Sequence, residues 1–216
     1  MTDTSPFGAP QPGTAPADLL DAGLVVGDDG RARCFWGGST PDYVGYHDTE
    51  WGRPVRGDDA LFERMSLEAF QSGLSWITIL RKRPAFRAAF ANFAIDKVAA
   101  FSEADATRLM TDPGIVRNRM KVDATLHNAR VAADLPGGLA ELLWSFAPTP
   151  RPSRPRTRAD VPATTPESVA MAKSLKKLGF KFVGPTTAYA LMQATGMVDD
   201  HLAGCWVPPI PAGPAA

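Results

Sequence analysis

Two pairs of metal-binding residue types stand near opposite ends of this chain. The sequence has only two cysteines and three histidines, and Cys34 precedes His47 while His201 precedes Cys205. Two thiolates and two imidazoles complete a tetrahedral zinc shell, which leaves no position for a reactive water. The His201-x-x-x-Cys205 spacing is that of neighbours on one helical face. The pattern predicts a structural Zn²⁺ site that ties the two ends of the folded region together.

Spacing alone leaves two other interpretations of these residues open. Free cysteine is commonly a small buried hydrophobe, and a lone histidine is more often a satisfied core residue than a ligand. A disulfide between Cys34 and Cys205 is the second alternative. It is disfavoured because the first residues contain neither the positive segment nor the apolar segment of a secretory signal. The same observation leads us to expect a cytoplasmic protein.

Glu68 is the second candidate for chemistry, because it interrupts an apolar helical stripe. Leu61, Met65, Glu68 and Ser72 recur at the spacing of one helix face. A buried carboxylate is costly unless it is paired or hydrogen-bonded. Glu68 therefore either pairs with an arginine or caps a neighbouring helix, or it faces a pocket and accepts hydrogen bonds from a polar ligand.

Large aromatic residues cluster near Glu68 in the sequence. Tyr46 and Trp51 flank His47, and Trp76 follows Glu68 by eight residues. Core packing is the usual role of any single tryptophan. Three rings beside a buried acid, however, are also the composition of a site that encloses a flat polar ring.

A third candidate is the turn at 182–188, Phe-Val-Gly-Pro-Thr-Thr-Ala, which lies between two predicted helices. A tight glycine turn lets backbone N–H groups approach a phosphate, and the following helix N-terminus adds its positive end. An ordinary helix–helix turn is the alternative. Several lysines nearby favour the anion site, and we assign DNA contact to Lys181, directly before the turn, and to Val183, Gly184 and Thr186 within it.

Composition limits the remaining possibilities. The chain carries 23 basic and 23 acidic residues, for a formal net charge of zero, so overall charge does not indicate a nucleic-acid binder. Basic residues do concentrate locally, at 81–83, 151–158 and 173–181. No stretch of eighteen apolar residues is present, so no membrane partner is expected.

The chain reads as one helical domain with loose ends. Residues 1–30 are rich in Pro, Gly and Ala and predict a disordered extension, 31–206 the domain, and 207–216 a flexible tail. Five prolines within 147–163 predict an extended connector. Apolar positions elsewhere recur at three and four, so we expect an all-α fold without a convincing strand pair.

Breaker and capping residues set the expected helix limits. One helix starts at Asp58 and closes at Gly73, a second starts at Trp76 and stops before Pro84, and a capping box at Thr164-x-x-Glu167 opens another. Further helices are expected near 85–91, 95–100, 103–111, 115–133, 138–146 and 185–194.

Several long blocks, in order, resemble the family of 3-methyladenine DNA glycosylases I (TAG). The resemblance runs from about residue 33 to 205, roughly four-fifths of the chain. The blocks are Arg-Cys-Phe-Trp at 33–36, Tyr-His-Asp-Thr-Glu-Trp-Gly at 46–52, Leu-Glu-Ala-Phe-Gln-Ser-Gly-Leu-Ser-Trp at 67–76, Gly-Ile-Val-Arg-Asn-Arg at 114–119, Leu-Trp-Ser-Phe at 143–146, Gly-Phe-Lys-Phe-Val-Gly at 179–184 and Asp-His-Leu-Ala-Gly-Cys at 200–205.

The resemblance implies a helix-hairpin-helix glycosylase fold of two helical lobes with the base pocket between them. It implies a monomer that removes N3-methyladenine, and less readily N3-methylguanine, from double-stranded DNA containing alkylated purines. The residues that match the family's site are zinc ligands Cys34, His47, His201 and Cys205, base-stacking residues Tyr46, Trp51 and Trp76 with Trp36 near the metal end, and the pocket glutamate Glu68.

Two positions depart from the wider superfamily. Its bifunctional members carry a Schiff-base lysine just after the hairpin glycine, where this chain has Pro185 and Thr186, so no lyase activity is expected. Asp199 stands where relatives place a catalytic aspartate, and it is either that carboxylate or a surface substitution. A non-catalytic DNA-binding module and a zinc hydrolase are the rival functions; Glu68 argues against the first, and Cys205 as a fourth ligand argues against the second.

Overall fold

The computed structural model describes residues 17–209, and this part of the chain is mostly helical, as predicted. Its ten α-helices, numbered α1 to α10, are Ala17–Ala22, Pro41–Thr49, Asp58–Gln71, Trp76–Ala89, Ile95–Ala99, Glu103–Thr111, Arg119–Ala133, Gly138–Trp144, Pro166–Lys177 and Pro185–Ala194. Residues 147–163, between α8 and α9, form the expected irregular connector apart from one 3₁₀ turn at Arg158–Asp160. No helix in this part is long and apolar enough to cross a bilayer.

A short antiparallel hairpin corrects the expectation that no strands pair. Strand β1 (Leu24–Val26) lies beside β2 (Ala32–Cys34), with Leu24 opposite Cys34. Each strand has three residues, too few to show the alternation by which strands are recognised in a sequence. The hairpin matters because β2 ends on the first candidate metal ligand.

The expected disorder of residues 1–30 is wrong for the segment that the structure describes. Residues 17–30 contain α1 and β1, and the Leu24 side chain is buried. Leu24 packs in a small apolar cluster with Cys34, Leu202 and Cys205, so it has a surface to bury against. Residues 1–16 and 210–216 lie outside the described residues.

Helix α3 is the central element of the domain and carries the candidate glutamate. It begins with two aspartates, ends before Gly73 as predicted, and buries nine of the ten residues from Leu61 to Phe70, all but Arg64. Its first-turn acids also fix two other helices: Asp58 Oδ1 accepts from the Ala140 amide, and Asp59 Oδ1 accepts from the Ile95 amide, both at 2.8 Å. Glu68 is therefore held on a rigid support.

Three predicted helix limits differ from the structure. Helix α4 continues through Pro84 to Ala89, although proline removes one backbone hydrogen bond. The aromatic core contacts of Phe86 and Phe90 stabilise the last turns beyond the proline. The α9 capping box lies one residue later than expected, at Thr165 with Ser168. Helix α7 begins at Arg119, where the Asn118 side chain accepts from the Lys121 amide.

Apolar side chains form one continuous main core from α3 to α10, and the small cluster around Leu24 lies at the candidate metal ligands. The core draws on both halves of the helical domain. The division of residues 31–206 into two lobes stays a prediction.

Gly196 holds the loop after α2 against the end of α10. Its φ is +70°, and a Cβ there would lie 2.6 Å from the Arg53 carbonyl carbon. We expect Gly196→Ala to lower the free energy of unfolding by about 3 kcal/mol, from left-handed strain plus overpacking. Gly30→Ala, at φ +73° with nothing within 4 Å, should cost about 1 kcal/mol from strain alone. Urea unfolding of both variants measures the difference, and equal losses would contradict the close approach.

Candidate metal centre and base pocket

The four candidate metal ligands meet at one buried point. Their donor atoms all lie within 4.8 Å of one another. Cys205 Sγ is 3.6 Å from His47 Nε2 and from His201 Nδ1, and Cys34 Sγ is 4.0 Å from His201 Nδ1. Ligands at about 2.0–2.3 Å from a tetrahedral zinc ion are separated by roughly 3.3–3.8 Å. The donor set and its spacing therefore fit a metal ion.

In each imidazole, the nitrogen that faces away from the cluster is hydrogen-bonded to an oxygen. His47 Nδ1 lies 2.8 Å from Asp48 Oδ1, and His201 Nε2 lies 3.2 Å from the Trp51 carbonyl. Each oxygen accepts the imidazole N–H, so the opposite nitrogen presents its lone pair to the cluster. Outer contacts of this kind orient histidine ligands in metal sites.

Asp48 is in turn fixed by a buried arginine. Arg33 donates from Nε and Nη2 to Asp48, at 2.8 to 3.1 Å, and from Nη1 and Nη2 to Asp29. Trp206 Nε1 also donates to Asp48 Oδ1, at 3.1 Å. The hydrogen bonds from Arg33, His47 and Trp206 hold the pKa of Asp48 below its usual value against the desolvation that would raise it. A charged Asp48 therefore supports the His47 ring.

His201 and Cys205 do not lie on a helix, contrary to the expectation from their spacing. Residues 201–205 form a turn after α10, closed by the Cys205 amide donating to the Leu202 carbonyl at 2.8 Å. Such a turn, like one turn of a helix, brings residues four positions apart close together. The neighbouring Cys34 thiol is the largest cause that lowers the pKa of Cys205 from its usual value, which favours the thiolate form that binds a metal.

A second feature lies beside the metal ligands: a cavity of about 420 Å³. All four predicted base-pocket residues line it, namely Tyr46, Trp51, Glu68 and Trp76. The residues that sequence reasoning did not assign to the pocket are Phe35, Tyr43, Gln71, Arg158, Val161, Ala190, Gln193, Asp200 and Leu202. Trp36 and Cys34 complete the wall and connect the cavity to the metal centre.

Glu68 has no hydrogen-bonding partner among the described residues, although it is 6% exposed. Arg64, the nearest candidate, pairs with Glu50 at 2.9 Å, and Arg83 also pairs with Glu50. Burial raises the pKa of Glu68 to about 8, and the positive charge of Arg64 offsets only part of this shift. The alternative that Glu68 pairs with an arginine or caps a helix is therefore wrong. Its carboxyl group is available to a ligand.

Aromatic rings form the walls around this carboxyl group. Trp36 packs edge-on against Trp51 at 4.9 Å and against Tyr43 at 5.7 Å, and Tyr46 lies 5.4 Å from Trp76. The Trp76 indole nitrogen is buried and has no acceptor in the described part of the chain. The cavity therefore offers flat apolar faces beside the Glu68 carboxyl group.

Asp200 is a polar wall residue that the sequence did not single out, although it directly precedes a metal ligand. Its side chain is fully buried. The carboxylate accepts hydrogen bonds from Tyr189 Oη at 2.6 Å, from Gln193 Nε2 at 2.8 Å and from Arg151. Asp199 instead faces a different cavity and pairs with Arg154 at 2.8 Å. This placement favours the surface interpretation of Asp199 over a catalytic one.

The turn between α9 and α10 is held by α7. Asn128 donates to the Lys181 carbonyl and accepts from the Lys181 amide, at 3.0 and 2.8 Å. Lys181 and Thr186 are exposed, whereas the Val183 side chain is buried, so Val183 can offer only its backbone. Gly184 is the residue before the first turn of α10, whose amides have no intrahelical acceptors.

Comparison with known proteins gives one consistent family. The sequence profile of the methyladenine glycosylases matches residues 36–208. DNA-3-methyladenine glycosylase 1 of Escherichia coli (strain K12) is 45% identical over 177 residues, which are 80% of this chain and 95% of that protein. The DNA-3-methyladenine glycosylase of Haemophilus influenzae is 42% identical over 177 residues, which are 80% of this chain and 96% of that protein.

Solved structures agree with the sequence comparison. A crystal structure of 3-methyladenine DNA glycosylase I (TAG) has a TM-score of 0.78 and 44% identity, and covers 82% of this chain and all of that one. The Staphylococcus aureus TAG structure described for 3-methyladenine recognition has a TM-score of 0.78 and 35% identity, over 83% of this chain and 98% of that one.

Proposed function

The chain belongs to the methyladenine glycosylase family, and on that premise we propose that it removes N3-methyladenine from double-stranded alkylated DNA. Members of the family are glycosylases, which hydrolyse N-glycosyl bonds. We extend the proposal to weaker removal of N3-methylguanine. The observation that carries it is Glu68, a buried carboxyl group without a protein partner at an aromatic cavity.

The substrate explains why the pocket has this composition. Methylation at N3 gives the adenine ring a formal positive charge, so its glycosidic bond is already weak. Burial alone raises the pKa of Glu68 to about 8, but a cationic base beside it favours the ionised form, and the resulting carboxylate attracts that charge strongly in a dry cavity. The unmethylated base is neutral, so Glu68 does not attract it in this way. The free-energy cost of burying Glu68 is the same for both bases.

The base must leave the helix to reach the cavity. Extruding a nucleotide costs roughly a few kcal/mol, less when the base is damaged. Stacking against Tyr46, Trp51 and Trp76 offsets that cost inside the protein. Glu68 accepts a hydrogen bond from the adenine amino edge and stabilises the cationic ring. Specificity then follows from the shape of the aromatic walls together with one hydrogen-bond acceptor.

Bond cleavage needs little acid catalysis, because the leaving base departs as a neutral molecule. The C1′–N9 bond breaks with its electron pair going to the base, the oxygen of water bonds to C1′ and loses one proton to solvent, and the product is an intact strand with an abasic site. No lysine follows the hairpin glycine: Pro185 and Thr186 occupy those positions. The protein therefore has no amine at that point to form a Schiff base, and it acts as a monofunctional glycosylase.

Zn²⁺ is the metal that the donor set favours. Two cysteine sulfurs and two histidine nitrogens suit zinc, and four protein ligands leave no open position for catalysis. The ion has a structural role. It would join β2, α2 and the turn after α10, and the cavity-wall residues Trp36, Tyr46 and Asp200 lie in these segments or within two residues of them.

The α9–α10 turn serves as a helix-hairpin-helix phosphate site. The amides at Gly184 and Thr186 and the positive end of α10 would bind one phosphate of the DNA backbone. Lys181 adds a flexible positive charge beside it, and Val183 contributes through its amide. These contacts position the duplex and carry no base information.

A duplex with one N3-methyladenine, labelled at one 5′ end, tests the reaction type. We expect the base to be lost while the strand stays whole until alkali cleaves the abasic site. Strand cleavage before alkali would show a lyase. A duplex that is bound but unchanged would indicate the non-catalytic DNA-binding module instead.

Trp76→Phe separates ligand binding from stability. The unpaired indole N–H is a buried donor that costs about 1–3 kcal/mol in the free protein, so its removal should leave stability unchanged or higher. Loss of the same donor should weaken binding of free 3-methyladenine about tenfold, measured by calorimetry. Trp144→Phe is the control: Trp144 donates to the Val55 carbonyl at 2.8 Å, outside the base cavity, so stability should fall and affinity stay. The same pattern in both variants would rule out a ligand role for Trp76.

A further inference from the structure

The connector between α8 and α9 carries four arginines within eight residues, at 151, 154, 156 and 158. We propose that this connector is a second phosphate-binding surface for the DNA, placed at the mouth of the base cavity. The identity of its ligand rests on the proposed function. The α9–α10 turn and this surface would hold the DNA backbone at two separate points.

The connector is fixed to the segment that follows α10. The Ala203 amide donates to the Pro155 carbonyl at 2.8 Å, and Arg154 Nη1 donates to the Val207 carbonyl at 2.6 Å. Arg154 Nε also pairs with Asp199, and Arg151 pairs with the buried Asp200. Arg151 and Arg154 therefore anchor the connector, which has a defined position although it is irregular.

The other two arginines have no acidic partner in the part of the chain that the structure describes. Arg156 and Arg158 are both exposed. Arg158 lines the base cavity, and its guanidinium lies over the Phe35 ring at 4.5 Å from the centroid. Phe35 is itself 40% exposed. An arginine supported on a ring at the entrance of this cavity stands where the backbone of an extruded nucleotide must pass.

A hollow of about 520 Å³ lies beside these side chains, lined by Arg151, Ser153, Arg154, Pro155, Arg156, Thr157 and Asp160. Arg154 Nη2 is buried and has no acceptor in the described residues. The one acid, Asp160, already accepts from the Thr157 and Arg156 amides. Guanidinium groups with free donors are the groups that bind phosphate oxygens in pairs.

The two proposed phosphate sites, the α9–α10 turn and the arginine connector, lie at opposite ends of α10. Gly184 precedes this helix, whereas Gln193 near its end lines the base cavity with Arg158. Nine residues at 1.5 Å each separate them by about 14 Å. The α9–α10 turn therefore cannot hold the DNA backbone at the extruded nucleotide itself. The arginine connector is the basic segment at that place.

The salt dependence of DNA binding tests this surface. The probe is a duplex with one tetrahydrofuran abasic analogue, which has no base to release, and binding is followed by fluorescence anisotropy from 50 to 300 mM KCl. We expect Arg156→Gln and Arg158→Gln each to weaken binding about three- to tenfold at low salt and to reduce the slope of log K against log salt by about 1. Lys97→Gln, an exposed site on α5 that lines none of the three cavities described above, is the control of equal charge change.

Slopes that stay at the wild-type value in both arginine variants would overturn the proposal. So would an equal loss in Lys97→Gln, because that would reflect overall charge. Affinity for free 3-methyladenine is measured in parallel: its loss in Arg158→Gln without a change of slope would make Arg158 a base contact and overturn the phosphate role. If the wild type releases no base but the slopes fall, the proposed function fails and the surface stands.

Discussion

Glu68→Gln should lower the rate of base release from alkylated DNA about 100- to 1,000-fold. The amide keeps the size of the side chain but removes a negative charge that would hold the cationic base and stabilise the positive charge that passes to the deoxyribose as the C1′–N9 bond breaks, and one such electrostatic group is worth about that factor in a dry site. Glu63→Gln is the matched control, because Glu63 is also buried on α3 but pairs with Arg87 at 2.8 Å. Its release rate should stay within about twofold of the wild type, and comparable losses in both variants would remove Glu68 from the mechanism.

The same substitution should stabilise the protein at alkaline pH. The pKa of Glu68 rises from 4.5 to about 8 on folding because burial disfavours the charge. The folded state therefore binds a proton more tightly than the unfolded state, and this contribution is fully present below pH 4.5 and is lost as pH rises through 8. We expect Glu68→Gln and the wild type to be equally stable near pH 5, and the variant to be more stable by about 4 kcal/mol at pH 9, because about three pKa units at roughly 1.36 kcal/mol each separate pH 5 from the folded pKa. A difference that does not change with pH would contradict the buried, unpaired carboxyl group.

His201→Gln should remove the metal and lower the melting temperature by about 10 °C. Breaking one ligand of a closed zinc site loses binding energy that is also folding energy, and in a domain of this size about 3 kcal/mol corresponds to roughly 10 °C. The main core does not include the metal ligands, so the variant should still fold. The measurement is metal content by plasma mass spectrometry together with thermal unfolding.

His127→Gln is the control for this prediction. His127 is the remaining histidine of the chain, and its side chain bonds to the Gly179 carbonyl at 2.9 Å, away from the cluster. It should retain about one zinc ion per chain and melt within about 2 °C of the wild type. Wild-type protein without zinc after expression in zinc-supplied cells, or full metal content in His201→Gln, would contradict the assignment.

The sequence predicted most of what carries chemistry, because those residues have strong individual signals. Glu68 is recognisable as a carboxylate among Leu61 and Met65, and Cys34 and His201 are recognisable as metal-binding types. What the sequence does not contain is the distance between them: 167 positions separate Cys34 from His201, and no local pattern brings them together. The residue types suggested that the two halves share one metal, the family resemblance supported that interpretation over its alternatives, and the geometry agrees with it.

The missed features have weak local signals. Strand β1 has three residues and depends on a long-range apolar contact of Leu24 with Leu202. The turn at 201–205 mimics helical spacing, since both return the chain after four residues. Gln193 and Asp200 are ordinary polar residues in sequence, and only tertiary packing places them at the cavity. Pro84 predicted a helix end that the aromatic core overrides.

Chromatography of the bases released from methylated DNA tests the central claim most directly. Genomic DNA treated with a methylating agent carries N3-methyladenine, N3-methylguanine and 7-methylguanine together, so one incubation compares the lesions. We predict a dominant 3-methyladenine peak with wild-type protein, a smaller 3-methylguanine peak, and loss of both with Glu68→Gln. Release of no base by protein that still binds DNA and zinc would contradict the glycosylase account. Equal release by wild type and Glu68→Gln would contradict the role assigned to the buried carboxylate.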